Sequence, residues 1–157
     1  MAKIRIIVVD RTRMSFLREG EDHYLGRLRK YVPVEWIEVK GNKVDGKRSP
    51  EEVMGLEGKR IQGKLDPRAT LVVLDRSGRQ YDSLGLARWM EGLFNKGTGS
   101  IDLVVGGPLG VSKEVLGLSR ERLSLSRLTL THEMCRLLLL EQLYRAMTIL
   151  RGEKYHK

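Results

Sequence analysis

The 157-residue sequence has few residues that could support disulfide or metal chemistry. Cysteine occurs once, at Cys135, so no disulfide can form within the chain and a zinc site built from cysteines is excluded. The three histidines, His23, His132 and His156, are far apart along the sequence. We therefore expect no metal site, and a reducing compartment such as the cytoplasm suits the chain.

Long hydrophobic runs are missing as well. The apolar run at residues 4–9 is interrupted by Arg5 and ends at Asp10, so it fits neither a secretory signal nor a membrane span. We expect a cytoplasmic protein that does not contact membranes. Residues 1–157 are predicted to form a single domain, because this length suffices for one sheet with helices on both faces.

Acidic residues are the minority among the charged ones. The 29 lysines and arginines exceed the 20 aspartates and glutamates, and the net charge is +9. A field of this sign attracts polyanions, and nucleic acid is the obvious candidate, although a basic surface can also serve solubility alone. Candidates for contacts with RNA phosphates are Arg5, Arg11, Arg13, Arg18 and the basic loop 43–48.

Hydrophobic patterning predicts five strands. Apolar runs of strand length lie at residues 3–9, 34–39, 70–75, 101–105 and 123–130. The first is typical of a central strand that is buried on both faces, whereas the second follows Pro33 and suits a strand nearer an edge. The last run alternates in two opposite phases, which predicts a bend near Ser126 and Arg127.

Helical spacing and capping residues predict helices between and after these strands. The first predicted helix covers residues 15–31, and the second begins at Pro50 after an N-cap at Ser49. The third runs from Asp82 or Ser83 to about Phe94. A short helix follows Ser112, and a long last helix begins at Thr131 or His132. Such alternation predicts an α/β fold, with a mostly parallel open sheet and helices on both faces. Sheets of this kind bind ligands at the carboxyl ends of their strands.

The last helix carries apolar residues on more than one face. Its main stripe consists of Leu139, Leu140, Leu143, Ala146, Met147 and Leu150. Outside this stripe lie Leu137, Leu138, Tyr144 and Ile149. Because a helix on the surface of a monomer needs only one apolar face, we expect a second copy of the chain to cover the others. The predicted assembly is a homodimer.

Three segments follow predicted strands, where a ligand is expected. They are LDRSG at residues 74–78, GGPLG at residues 106–110 and SRLTLTH at residues 126–132. The glycine segment matches neither a P-loop nor the dinucleotide fingerprint, so ATP hydrolysis and hydride transfer lose support. Taken alone, this segment is equally consistent with a tight turn and with a ligand contact.

Together with the C-terminal stretch EQLYRAMTILRGEKYHK, these motifs resemble a known family. The motifs LDRSG, VVGGPLG and LSLSRLTLTH, the chain length and the order of elements are similar to those of the small ribosomal RNA large subunit methyltransferases known as RlmH, which belong to the SPOUT class. The resemblance implies a C-terminal trefoil knot, which general rules on chain connections would have excluded. It also implies methylation of the N3 position of a pseudouridine in the 23S rRNA of the assembled ribosome.

The resemblance also implies a methyl donor, S-adenosylmethionine, and the residues that hold it. These are Leu74, Gly107, Ser126, Arg127, Leu128, Thr129, Leu130 and Thr131. Backbone amides and carbonyls at such bends can form hydrogen bonds with the adenine edge, while leucine side chains cover the faces of the ring.

A pseudouridine nitrogen must lose its proton before or during methyl transfer, so a base or a charge stabiliser is needed. The ending of the chain matches the family, and we take Arg145, Tyr155 and His156 as the catalytic candidates, with His156 as candidate proton acceptor. From its position alone, His156 would be interpreted as a mobile terminal residue. His132 is expected to pack or to cap the last helix.

Three positions depart from the family pattern. Thr131 stands where proline usually precedes the histidine, Leu109 stands where a polar residue is frequent, and Asp10 follows the first strand where a glycine is expected. The first departure predicts a looser adenine loop. Two alternatives stay open. One is a methyltransferase of another RNA such as tRNA; the other is a non-catalytic basic module that binds RNA, in which Thr131 and Leu109 would be the changes that abolished donor binding.

Overall fold

Five parallel strands form one sheet in the order β2-β1-β4-β3-β5. The structure, a computed structural model, describes residues 2–157. Along the chain the elements are β1 (Lys3–Val9), α1 (Ser15–Leu28), β2 (Val34–Val39), α2 (Pro50–Gln62), β3 (Thr70–Arg79), α3 (Ser83–Phe94), β4 (Ser100–Val105), α4 (Lys113–Leu118), β5 (Glu121–Leu123) and α5 (His132–Leu150). The predicted central position of β1 and edge position of β2 are both confirmed.

Helices cover both faces of the sheet, as predicted. On one face, apolar side chains of α1, α3 and α5 pack against β1, β3 and β4 in the larger core cluster. On the other face, Ile61 of α2 and Val115 of α4 pack against Ile7, Val73 and Val104. Burial on both sides explains why β4 is buried along its whole length.

The predicted capping residues begin their helices. The side chain of Ser49 accepts a hydrogen bond from the Glu52 backbone N–H at the start of α2, and Pro50 occupies the first turn. Asp82 and Ser112 accept the corresponding bonds at the starts of α3 and α4. Each side chain satisfies a backbone N–H that has no partner within the helix.

The predicted first helix is too long. The structure ends α1 at Leu28 rather than at residue 31, and the following residues form tight turns, with the Tyr31 N–H donating to the Leu28 carbonyl at 2.9 Å. Pro33 lies just beyond, and proline disfavours helical backbone in the residue before it.

The predicted bounds of the fifth strand, residues 123–130, are wrong, whereas the bend or loop predicted near Ser126 and Arg127 is confirmed. The structure's β5 is Glu121–Leu123, and residues 124–131 form a loop. Strand β3 is instead longer than predicted, because it continues through polar residues to Arg79, whose carbonyl accepts a hydrogen bond from the Ser124 N–H. Gly78 allows this extension, since a Cβ there would lie 2.8 Å from the backbone of Arg122.

Much of the apolar surface of α5 that suggested a dimer is covered within the chain. Tyr144 is 7% exposed, with the rings of Tyr31 and Tyr155 within 6.0 Å and 4.7 Å of its own. Leu137 packs against Gly20 of α1, and Ile149 packs against the larger core cluster. Of the residues outside the main stripe, Leu138 is the exposed one within the described chain, at 38%.

No helix within residues 2–157 is both long enough and apolar enough to span a membrane.

Candidate active site

A cavity of about 400 Å³ opens at the carboxyl ends of β3, β4 and β5. All three sequence segments contribute to it, and we call it the strand-end cavity. Its walls include Leu74 to one side, the glycine turn 106–110 to another, and the loop 124–130 across the opening. The curved wall offers apolar side chains together with backbone amides and carbonyls, a combination that suits a flat heterocycle.

The glycine turn has little freedom to change. A Cβ on Gly106 would lie 2.7 Å from the carbonyl carbon of Gly110, so any side chain would push the turn open. Gly110 has φ +93°, a conformation that favours glycine, and its N–H donates to the Gly107 carbonyl at 3.0 Å. The turn is thus held in shape by its own backbone.

The loop 124–131 is fixed by polar contacts. The Leu128 N–H donates to the Ser126 hydroxyl at 3.0 Å, and the Ser124 hydroxyl donates to the Ser126 carbonyl at 3.0 Å. Arg76 donates to the Thr129 hydroxyl at 2.6 Å and so joins the end of β3 to the loop. These bonds shape the loop, while the side chain of Leu128 is 74% exposed.

Six of the eight residues predicted to hold the donor line the strand-end cavity: Leu74, Gly107, Ser126, Leu128, Thr129 and Leu130. Arg127 and Thr131 are exposed and stand outside the lining.

Two further lining residues, His132 and Cys135, come from the start of α5. His132 ends the third predicted segment, whereas Cys135 was not predicted to face a ligand. Burial lowers the pKa of His132, which favours a neutral imidazole, and raises the pKa of Cys135 to about 11, which keeps the thiol protonated. Neither is suited to act as a charged group at neutral pH. Sequence spacing could have indicated Cys135, because it lies one helical turn after His132.

Behind the cavity, buried polar groups join α5 to β1 and α1. Arg136 is 0% exposed and donates to the Val9 carbonyl and, at 3.0 Å, to the Thr12 hydroxyl. Thr12 in turn donates to Glu21 at 2.8 Å. Burial raises the pKa of Glu21. The start of α5, and with it one wall of the cavity, is therefore tied to the end of β1.

The catalytic candidates form a second group, the terminal cluster: Glu141, Arg145, Tyr155 and His156. Arg145 donates to Glu141 Oε1 at 2.6 Å, and Arg145 Nη1 lies 3.3 Å from His156 Nδ1. Tyr155 donates to the same Glu141 oxygen at 3.0 Å, and its ring lies 4.7 Å from the Arg145 guanidinium carbon. Burial and the Glu141 carboxylate raise the pKa of Tyr155. Glu141 was not predicted, although its spacing of four residues from Arg145 is a familiar ion-pair signal.

Within one chain, the terminal cluster does not reach the strand-end cavity. Arg145 lies 13 residues after His132 on α5, which corresponds to about 20 Å along a helix axis. The tail folds back along the last turns of α5, where Tyr155 touches Tyr144. The structure thus brings Arg145, Tyr155 and His156 together, but apart from the predicted donor residues.

One of the candidate phosphate contacts is already engaged. Arg5 donates to both carboxylate oxygens of Asp102, at 2.7 Å and 2.8 Å, and to the Lys64 carbonyl. Arg11, Arg13 and Arg18 are exposed, as are residues 43–48. No three His, Cys, Asp or Glu side chains within residues 2–157 are grouped as a metal ion would require.

Comparison with known proteins decides the family. A family model described as a predicted SPOUT methyltransferase matches residues 2–156. A ribosomal RNA large subunit methyltransferase H of Desulfotalea psychrophila is 42% identical over 155 residues, with 99% of each chain covered. Proteins of the same name from Syntrophotalea carbinolica and Syntrophobacter fumaroxidans are 40% and 38% identical, over 98% and 99% of each chain.

The chain belongs to the SPOUT methyltransferase family.

Solved structures show the same fold at low sequence identity. A probable methyltransferase from Bordetella pertussis is 13% identical with a TM-score of 0.58, covering 93% of this chain and 95% of that one. A probable methylase family protein from Haemophilus influenzae is 16% identical with a TM-score of 0.56, covering 99% of this chain and 71% of that one. The protein is therefore a SPOUT methyltransferase with the α/β fold predicted from its sequence.

Two of the departures from the family pattern have local explanations in this SPOUT methyltransferase. Asp10 adopts φ +61°, where glycine is favoured, and its carboxylate accepts a hydrogen bond from the Gly41 N–H at 2.8 Å. Thr131 is the N-cap of α5, and its hydroxyl accepts a hydrogen bond from the Met134 N–H at 3.2 Å. Leu109, the third, is half-buried in the cavity wall.

A methyl donor of the adenosine type fits the strand-end cavity of this family member. The volume of about 400 Å³ lies within the range of small-molecule sites. The faces of an adenine ring are apolar and its edge is polar. The leucine side chains of the cavity can cover the faces, and its backbone polar groups can form hydrogen bonds with the edge.

Proposed function

We propose that the chain transfers a methyl group from S-adenosylmethionine to the N3 position of a pseudouridine in 23S rRNA. The observation that carries this proposal is the convergence of three motif segments on one cavity at the carboxyl ends of β3, β4 and β5. The name shared by relatives of 37–42% identity supports a large-subunit rRNA as the substrate. Because ribosomes work in the cytoplasm, this substrate also implies a cytoplasmic protein.

The donor-binding residues are those predicted from the sequence. Leu74, Leu128 and Leu130 would cover the adenine faces, and backbone groups of Gly107 and of loop 126–131 would bind its edge. When bound, S-adenosylmethionine supplies a methyl carbon that is activated for in-line displacement by its sulfonium. The rigid glycine turn and the loop contribute positioning, which is the main source of rate in such a transfer.

The terminal cluster handles the acceptor base. Arg145 stabilises negative charge on the uracil ring as the N3 proton leaves, and Tyr155 holds the guanidinium by its stacked ring. His156 accepts the proton through a ring nitrogen. In the free protein Arg145 donates to His156 Nδ1, so the neutral ring carries its proton on Nε2. When Arg145 turns to the uracil ring, Nδ1 is released and becomes the atom that accepts the N3 proton.

The protein acts as a homodimer, because one chain separates its two functional groups. An exposed apolar strip, Met14, Phe16, Met134 and Leu138, lies where α1 meets α5, with the Met14 N–H donating to Glu133 at 3.1 Å. Leu138 is at the midpoint between His132 and Arg145. A two-fold axis near Leu138, with two copies of α5 antiparallel, would bring the terminal cluster of one copy to the cavity of the other.

The substrate is tested with large ribosomal subunits that lack the methyl group. Incubation with the protein and labelled S-adenosylmethionine should label 23S rRNA, and nuclease mapping should find the label on N3 of a pseudouridine. A parallel reaction with tRNA examines the alternative substrate. Labelled tRNA without labelled 23S rRNA would contradict the proposal, and salt-sensitive RNA binding without S-adenosylmethionine binding would favour the non-catalytic module.

The dimer is tested with Leu138→Glu, which places a charge on the apolar strip. Sedimentation should give a dimer for the wild type and the mass of one chain for the variant, together with loss of methyl transfer. Leu118→Glu is the matched control, since Leu118 is 56% exposed on α4, outside the strip. A wild-type protein that sediments as one chain at micromolar concentration would contradict the assembly.

A further inference from the structure

A second cavity, of about 500 Å³, lies beyond the carboxyl end of β2 and is surrounded by cations. Its lining, which we call the cationic pocket, consists of Lys40, Gly41, Asn42, Lys43, Asp45, Lys47, Arg48 and Arg60. Five of these side chains are cationic and one is acidic. The pocket is separate from the strand-end cavity, with which it shares no residue.

The base of the pocket is built by specific hydrogen bonds. Arg60 of α2 donates to the Lys40 carbonyl at 2.9 Å and to the Asn42 side-chain oxygen. The Gly41 N–H donates to Asp10 at 2.8 Å, and the Asn42 N–H donates to Glu57 at 3.0 Å. Residues 40–42 are therefore held by β1 and α2, and they fix the point from which the basic loop projects.

The three carboxylates near the pocket offset only part of the charge of its five cations. Asp10 and Glu57 accept hydrogen bonds from backbone N–H groups, and Asp45 accepts one from the Lys47 N–H at 3.1 Å. None of the ion pairs found among residues 2–157 includes one of the pocket's cations. Unpaired cations around a concave surface attract an anion with several oxygen acceptors, and a phosphate group is the anion of this kind that RNA presents.

We propose that the cationic pocket binds a backbone phosphate of the RNA substrate; this rests on the proposed function. The pocket and the strand-end cavity lie along the same edge of the sheet. Strands β2 and β4 are two positions apart, which corresponds to about 10 Å. Glu57 links the two sites, since its Oε1 lies 3.1 Å from the position of a Cβ on Gly107. A strand held at the pocket would therefore pass close to the methyl donor.

The test uses the double variant Lys43→Gln, Lys47→Gln, which removes two charges from the exposed loop. The matched control is Lys59→Gln, Lys113→Gln, two exposed lysines outside the pocket, with the same change in net charge. The pocket variant should raise the KM for methyl-deficient large subunits about tenfold with little change in kcat. The salt slope of its binding to a 23S rRNA fragment should fall by about one, as expected for one lost phosphate contact. Affinity for S-adenosylmethionine should be unchanged.

The control decides between a specific site and general attraction. Equal effects in the two double variants, or no effect in either, would overturn the pocket. Inorganic phosphate should compete with the RNA fragment for the protein only weakly, because the pocket supplies one of several backbone contacts. Free phosphate that competes as strongly as unlabelled RNA fragment would also overturn the pocket. Binding of the RNA fragment needs no methyl transfer. A loss of affinity confined to the pocket variant would thus support the pocket even if ribosomes were not methylated, a result that would overturn only the proposed function.

Discussion

The strand-end cavity and the terminal cluster are built from different parts of the chain. The cavity depends on backbone shape: Gly106 leaves no room for a Cβ, and Gly110 adopts φ +93°, a conformation that favours glycine. The terminal cluster depends on side chains of one helix and a tail, joined through Arg145. Substitutions at the cavity are therefore expected to act through shape and stability, and substitutions in the cluster through chemistry.

The largest effect on stability is expected behind the cavity. Arg136→Met removes hydrogen bonds to Val9 and Thr12 and leaves Glu21 buried without its neighbouring positive charge. The free energy of unfolding should fall by about 3–5 kcal/mol, because a buried acid is left without the positive charge near it. Urea denaturation measures this loss.

Arg145→Met is the matched comparison for that variant. Its partner is Glu141, and the two side chains are 24% and 17% exposed, so solvent screens the pair and the loss should stay below about 1 kcal/mol. Equal losses in the two arginine variants would contradict the contrast between the regions.

In the terminal cluster, the largest expected effect is on the rate of transfer. His156→Ala removes the candidate proton acceptor, so kcat should fall about 100-fold, a usual contribution of general base catalysis. The dissociation constant for S-adenosylmethionine should not change, because no residue of the terminal cluster lines the strand-end cavity and His156 is assigned to the acceptor base rather than to the methyl donor. Single-turnover kinetics with methyl-deficient large subunits, with Lys157→Ala as control, measures the effect. An unchanged rate would show that His156 is only a tail residue.

The strands that were predicted correctly have clear local signals. Strands β1 and β2 have their predicted bounds, and β4 begins one residue early. β1 and β4 lie inside the sheet and consist mostly of apolar residues, whereas β2 is an edge strand that begins just after Pro33 and keeps exposed glutamates. The alternation in residues 123–130 has another origin. Leu125, Leu128 and Leu130 line the cavity, so their spacing reflects the wall of a binding site rather than a strand.

The parts of the site that the sequence did not indicate depend on long-range contacts. The Gly41 N–H meets Asp10, and Arg136 meets Val9, across separations of 31 and 127 residues. No local pattern encodes such pairs. The convergence of the three motif segments, by contrast, follows from the rule that parallel strands end at one edge. The trefoil knot and the single-domain organisation stay predictions of the sequence.

A smaller effect is expected at the glycine turn. Gly106→Ala would force the backbone of Gly110 to move, so the affinity for S-adenosylmethionine should fall about tenfold, or about 1.4 kcal/mol. Gly92→Ala is the matched control, because a Cβ at Gly92 in α3 meets no atom within 4 Å. Calorimetric titration with the donor measures both. A control that loses as much affinity as Gly106→Ala would contradict the role of the turn.

The smallest predicted effect is at Thr131, and it distinguishes a role in starting α5 from a role in binding the methyl donor. Thr131→Ala removes the side-chain cap of α5 and should lower the free energy of unfolding by about 1 kcal/mol, whereas Thr131→Ser keeps the hydroxyl and should lose less. Thermal denaturation measures both. Because Thr131 stands outside the cavity lining, the affinity for S-adenosylmethionine should change little in either variant. A large loss of affinity without a loss of stability would mean that Thr131 contacts the donor directly, so that its role belongs to binding rather than to the start of the helix.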